Sequence, residues 1–189
     1  MSLLLYPQIH ASDALTITTT AATAVATAID AIAGTRCEIK WVNDVYLRER
    51  KVCGILTESQ ISESGMLDFA VLGIGVNLVA PEGGFPDDIS MRAGAVFDTL
   101  PHGAASELTA GIVNEFFRLY DSPHDVCLQK YRERSNLIGR EVDVMRVVDG
   151  TTTPAKVVAI DDSYALIVEF ENGTKEALSS GEVSIREHK

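Results

Sequence analysis

The chain has 189 residues, 46% of them apolar and 23% charged, enough to bury a sizeable core and to build one large domain or a large one plus a small one. Its formal net charge of −11 argues against a general nucleic-acid surface, because phosphate binding relies on clustered Lys and Arg. No run of about 18 apolar residues is free of polar breaks, and no basic stretch precedes an apolar one, so neither a membrane span nor a signal peptide is expected and the cytoplasm is the default location.

Taken in chain order, SLLLYP opens as a short strand ended by Pro7, and Asp13 is placed to cap a helix from about Ala14 to Ala33 that stops at Gly34. That helix is rich in Ala and Thr, and small side chains permit close packing on a sheet, so it reads as structural. Strands are predicted at Cys37–Trp41, Val45–Leu47, Val52–Ser59 and Leu67–Leu78, with Asn43-Asp44 as a turn. Together they predict a mixed sheet with the helix on one face. Arg48, Glu49 and Arg50 read as a solvated hairpin tip. The Gly- and Pro-containing PEGGFPDDIS stretch is either a lid or a plain connector. Helical patterns return at about Ala104–Tyr120 and Ser122–Ser135, where Phe116, Phe117, Leu119 and Tyr120 supply core bulk. From Gly139 the texture changes to short alternating runs, REVDVMRVV, TPAKVVAI, ALIVEFE, KEAL and EVSIR, with Asn172-Gly173 as a hairpin turn. This pattern predicts a small barrel. The domain boundary is set near Leu137, giving domains 1–137 and 138–189. Cys37, Cys53 and Cys127 are odd in number and widely spaced, and read as small buried hydrophobes.

The chemistry concentrates between Ile39 and Glu58, IKWVNDVYLRERKVCGILTE. Lys40 and Lys51 flank an apolar strand and Trp41, where an ammonium group needs a partner. With Asn43 and Asp44 they form a cluster suited to an anionic substrate, although Asn43 also fits an Asx turn that ties down the hairpin. Gly73, Gly75 and Asn77 lie in a strand-like run, where glycine costs stability unless something approaches the backbone. A ligand, a bulge or tight sheet packing would each serve, and Gly54 follows the same logic. Glu182 and Arg186, four apart, share one face of a strand and read equally as site residues or as a surface ion pair.

These residues carry a resemblance. KWVNDVYLRERKVCGILTE resembles the KWPND…KxxGIL(V/T)E segment of biotin protein ligases, FAVLGIGVNL resembles the glycine-containing strand that those enzymes place beside the adenylate, and SGEVSIR resembles their terminal GEISLR-type segment. The matches run in family order from about Leu3 to Arg186. The resemblance implies an α/β (α+β) fold with a class II synthetase-like catalytic core and a C-terminal SH3-like β-barrel. It implies activation of biotin by ATP, with Mg²⁺, to biotinyl-AMP, and transfer to a lysine of a biotin carboxyl carrier protein, the acetyl-CoA carboxylase subunit. Lys51 would be the catalytic lysine and Lys40 a phosphate contact. Asn43 and Asp44 would serve the adenylate and the incoming lysine, Asp44 as a catalytic group. Trp41, Gly54, Gly73, Gly75, Asn77, Glu182 and Arg186 would line the ligand site. No residue is assigned to a metal.

A non-catalytic ligase-like binding or interaction protein and a lipoate ligase-like adenylating enzyme stand as alternatives, and the motif spacing and the barrel favour biotin. Some family members carry an N-terminal winged helix-turn-helix; no stretch here reads as one, and DNA binding is not expected. Monomer and homodimer are both open. Two departures stand out. Val42 occupies the position of the family's proline. A Gly/Arg-rich loop resembling GRGRRGR, which in the family precedes the SLLLYP-like strand, has no counterpart in this sequence, nor do an earlier strand and helix. The expectation is a catalytic core lacking its first part, with weak binding and almost no catalysis.

Overall fold

The computed structural model describes residues 1–179 and 183–187, the last five by backbone alone. The chain divides into two units, Met1–Arg134 and Ser135–Lys189.

The first unit is built on a five-stranded sheet of β1 (Ser2–Leu5), β2 (Glu38–Lys40), β3 (Asp44–Leu47), β4 (Arg50–Ile61) and β5 (Leu67–Val76), in the order β1-β5-β4-β3-β2. The fold class is as expected, but the mixed sheet is not: every strand pair is antiparallel. The reason is topological. Four antiparallel steps separate the edge strands β1 and β2, so these two, joined through a helix, do run the same way without ever meeting.

That helix, α1 (Leu15–Ala33), touches β2, β3, β4 and β5 as well as α2 (Ala104–Tyr120) and α3 (His124–Arg134). Burial around the whole circumference requires small or self-satisfied side chains. The alanines meet the first need. The threonines meet the second by bonding back along the helix, Thr19 Oγ1 to Leu15 O, Thr23 Oγ1 to Thr19 O and Thr27 Oγ1 to Thr23 O at 2.8–3.1 Å. Thr18 Oγ1 reaches Thr57 Oγ1 of β4 at 2.8 Å and so fastens the helix to the sheet. Residues 11–33 are long and apolar enough to cross a membrane, yet 67% of the 18-residue apolar window within them is buried inside the protein. This is a core helix.

Asp13 does not cap α1. It ends a 3-10 turn over Ala11–Asp13, and the N-cap position is Ala14, without a side-chain bond, because the turn supplies its own backbone bonds into the helix. At the other end Gly34 adopts φ 64° and returns its N–H to Asp30 O, as its position predicts. Asp30 also accepts from Cys37 N and from Arg134 Nη1, at 2.6 and 2.7 Å, tying α1, β2 and α3 together. All three cysteines are free and buried, as expected. Between β5 and α2, residues 77–103 hold neither helix nor strand.

The second unit is a separate five-stranded antiparallel sheet of β6 (Glu141–Arg146), β7 (Thr152–Ile160), β8 (Leu166–Phe170), β9 (Lys175–Leu178) and β10 (Val183–Glu187), in the order β10-β6-β7-β8-β9. A bulge between Val157 and Ala159 interrupts β7, the device by which small sheets curve. Val142, Val144, Val157, Leu166, Val168 and Tyr164 form its core. Gly173 takes φ 80° in the expected Asn172-Gly173 hairpin.

Candidate active site

The first sheet has a core face and an open face, and register assigns residues to each. Val45, Leu47, Cys53, Ile55, Ala70, Leu72 and Ile74 are buried beneath α1. Their alternates point the other way. Lys40 lies opposite Asp44, Asp44 opposite Gly54, Gly54 opposite Gly75, and Leu56 opposite Gly73. One row across four strands thus reads Lys40, Asp44, Gly54, Gly75.

Lys51 joins this row through an irregularity. It lies three positions before Gly54, an odd spacing that would ordinarily send the two side chains to opposite faces. The register of β3 on β4 shifts between Val45 and Tyr46, so that Cys53 faces Val45 while Lys51 faces Tyr46. Val52 is the extra residue of a β-bulge, and the bulge returns Lys51 to the open face. Its ammonium then bonds Asp44 Oδ1 at 2.5 Å, with 42% of the lysine side chain and 24% of the aspartate still accessible to water. A Cβ on Gly54 would stand 3.2 Å from Lys51 Cε and 3.3 Å from Nζ. Glycine is needed there because the lysine head folds over it. The close approach expected at Gly54 is made by the protein's own catalytic candidate.

Beside this pair the floor is bare. Added Cβ atoms at Gly73 and Gly75 would meet nothing nearer than strand carbonyls at 3.6 and 3.8 Å. Next to the glycines the same face carries Leu4 and Leu56, 57% and 61% exposed, and Phe69, also exposed. Among the described residues no carboxylate pairs with Lys40. The open face therefore offers one engaged and one unengaged cation at one end, a side-chain-free floor, and an apolar strip at the other end. Such a surface suits a molecule with an anionic head and an apolar body.

Other expected site residues serve the scaffold. Asn43 donates its Nδ2 to Ile55 O at 2.7 Å and accepts Ile55 N–H on its own carbonyl at 3.1 Å, which pins the β2–β3 turn to β4. Asn77 Nδ2 donates to Gly94 O at 3.0 Å, so this amide holds the 77–103 connection. Trp41 is buried, and the Trp41–Val42 peptide is cis. Tyr131 of α3, to which no role was assigned, donates its hydroxyl to Val42 O at 2.9 Å and supports the turn from beneath. Leu4, Leu56 and Phe69 were not among the expected site residues; the exposed Leu56 and Glu58 at alternate positions of β4 were the signal that could have pointed to Leu56. Glu182 lies outside the described residues, and Arg186 is described by backbone only, opposite Asp143 on β6.

Residues 1–77 match the Biotin/lipoate A/B protein ligase family, and residues 137–186 match the Biotin protein ligase C terminal domain. The chain belongs to the biotin protein ligase family. It is 29% identical over 188 residues to the bifunctional ligase/repressor BirA of Bacillus spizizenii, an alignment covering 95% of this chain and 56% of that protein. It is 45% identical over 96 residues to the biotin--[acetyl-CoA-carboxylase] ligase of Paracoccus denitrificans, over 50% of this chain and 38% of that protein. The chain thus covers little more than half the length of the first of these curated relatives and 38% of the second. Its fold superposes on the apo biotin protein ligase of Aquifex aeolicus with a TM-score of 0.78 at 23% identity, over 99% of this chain and 81% of that one. The same Aquifex aeolicus enzyme in complex with biotin and ATP gives 0.76 at 23% identity, over 99% of this chain and 77% of that one. Membership gives the ligase family, and the solved structures give the fold.

Proposed function

We propose that this chain carries the catalytic apparatus of a biotin protein ligase. In the first step an oxygen of biotin's carboxylate attacks the α-phosphorus of ATP, an acyl–phosphate bond forms, the α–β phosphoanhydride breaks and pyrophosphate leaves. In the second, the neutral ε-amine of a carrier-protein lysine attacks the biotinyl carbonyl, the amide forms, a proton is lost and AMP departs. Both steps gather negative charge, and a fixed cation where that charge develops is the largest single aid a protein can offer.

The observation supporting this reading is the Lys51 ammonium, folded over Gly54 and aimed by Asp44 on the open face. Lys40 on the same face suits the phosphates, the glycine floor admits the adenylate close to the backbone, and Leu4, Leu56 and Phe69 suit biotin's apolar rings and chain. Among the described residues no group of three His, Cys, Asp or Glu side chains could hold a metal. Magnesium would therefore be held mainly by the triphosphate, where it would neutralise phosphate charge. The exposed apolar strip also calls for a cover that excludes water, the role that the resemblance gives to a Gly/Arg-rich loop.

Biotin-dependent exchange between pyrophosphate and ATP tests this, measured for the 189-residue chain and for a version extended with a GRGRRGR-like segment before Met1. Exchange is expected in the extended version and very little in the shorter one, and Lys51→Ala should lower it about 10²-fold or more. Silence of both versions, or full activity of the Lys51→Ala variant, would overturn the assignment. Transfer of label to a biotin carboxyl carrier domain separates a ligase from a protein that only binds biotin or nucleotide.

A further inference from the structure

The long connection after β5 is fastened to β4 by backbone bonds at two neighbouring residues, Asn77 N donating to Val52 O at 2.8 Å and a further pair made by Lys51. Lys51 N donates to Arg92 O at 2.8 Å and Gly94 N donates to Lys51 O at 2.9 Å, so residues 92–94 take the place beside β4 that β5 has vacated after Val76. Residues 86–93 form a helical turn in which Ser90 N bonds Pro86 O and Ala93 N bonds Ile89 O, both at 2.8 Å. Its carbonyl end is met by one side chain from the sheet. Arg50 Nη1 donates to Ser90 O at 3.0 Å and to Ala93 O at 3.4 Å. A guanidinium at the carbonyl end of a helical turn is electrostatically favourable.

Two further facts make the contact specific. A Cβ on Gly94 would stand 2.6 Å from Arg50 Cβ, so the connection can approach only because residue 94 is glycine. Arg50 also pairs with Leu47, a buried core-face residue, while Lys51 pairs with Tyr46. Arg50 therefore sits on the opposite side of the sheet from the ammonium and cannot touch a ligand on the open face. The expectation of a merely solvated tip holds for Arg48 and Glu49 and fails for Arg50.

We propose that Arg50 is a positioning residue for Lys51: from the far face it clamps the 86–94 segment, which flanks the Lys51 backbone and holds the ammonium over Gly54 against Asp44. This rests on the assignment of Lys51 as the reacting cation. Its consequence is kinetic, since a small misplacement of a charged group lowers the rate of the chemical step without removing a ligand contact.

The test compares Arg50→Ala, Arg50→Lys, Gly94→Ala and, as a control from the same hairpin, Arg48→Gln. Amide hydrogen exchange of the 189-residue chain should accelerate about tenfold at Lys51 and Gly94 in Arg50→Ala and Gly94→Ala, the scale expected for one charge-assisted hydrogen bond. Arg50→Lys, which keeps the charge but loses the fork, should fall between these and the parent, and Arg48→Gln should match the parent. In whichever version exchanges pyrophosphate, Arg50→Ala should lower kcat about tenfold with KM for ATP and biotin held within about twofold. A raised KM at unchanged kcat, or unchanged exchange at both amides, would overturn the proposal. If no version turns over, the ligase assignment falls separately, and the two amides decide the clamp by themselves.

Discussion

Gly54 shows how a single absent side chain can organise a site. Its open Cα is the surface on which Lys51 rests, so Gly54→Ala sets a methyl 3.2 Å from Lys51 Cε. The obstacle is the far end of a flexible side chain, which can swing away. Unfolding free energy should then change by less than about 1 kcal/mol, while adenylate formation falls by roughly tenfold or more because the ammonium is displaced. Thermal melts and pyrophosphate exchange on the same samples check both halves. Cys53 lies next to it in sequence but on the core face, where burial pushes its thiol from 9.0 up to about 12; burial, followed by the nearby Asp30 carboxylate, does the same to Cys37. A thiol held protonated in the fold but free to ionise when unfolded stabilises the protein below pH 9, and that contribution is lost as pH rises towards 12. Urea unfolding should show the loss between these limits, amounting to about 1 kcal/mol per thiol at pH 10. A Cys37→Ala/Cys53→Ala variant should show a shallower slope.

The β3–β4 hairpin carries the clearest local conflict. Leu47 faces Arg50, so the loop has two residues, and Arg48 and Glu49 adopt φ 51° and 63°. A two-residue loop of this hand suits Asn-Gly, yet the sequence supplies Arg-Glu. Replacing Glu49 with Gly relieves roughly 1–2 kcal/mol of left-handed strain and costs roughly 0.5–1 kcal/mol of chain entropy. The net expectation is a gain of about 0.5 kcal/mol, measurable by chemical denaturation, with Lys51 chemistry unchanged. A loss of stability would mean that Glu49 makes a favourable interaction outweighing its backbone. At the same scale, the buried threonines of α1 explain why a helix so poor in large side chains holds a core: Thr19 and Thr23 bond back along its own axis, Thr18 reaches Thr57 of β4 and Thr20 pairs with Cys127 of α3, and the small surface lets β4, α2 and α3 approach closely.

Across the whole molecule, each unit buries its own apolar residues: Ile17, Val25, Ile39, Leu72 and Phe116 in the first, Val142, Val157, Leu166 and Val168 in the second. The piece Met1–Arg134 should consequently melt cooperatively without the rest of the chain. A broad, non-cooperative transition followed by calorimetry would show that its core depends on the second unit. The same piece offers a test of the tail, since Glu182 and Arg186 are expected to serve ATP use or carrier transfer. Their loss should weaken nucleotide handling, and an ATP affinity and transfer rate equal to those of the full chain would reduce the second unit to a structural appendage.

Much of this was legible without coordinates. Spacing and alternation marked α1, the strands of both units, the Gly34 stop and the Asn172-Gly173 turn, because each depends on interactions within a few residues. The residue types of the proposed anion site were likewise visible around Lys40, Asp44 and Lys51. Which of them act together was decided only by tertiary structure. A one-residue bulge decides the face on which a lysine emerges, and no local pattern in RKVCG announces it. Asn43 and Asn77 were read as candidate ligand contacts, Asn43 also as a turn residue, and the tertiary structure sets their side-chain N–H groups on Ile55 O and Gly94 O; Arg50 looked like solvent-facing charge until a segment some 40 residues away supplied its carbonyls. Composition and periodicity report what a side chain can do; the long-range pairing of strands and connections decides whether it remains available to do it.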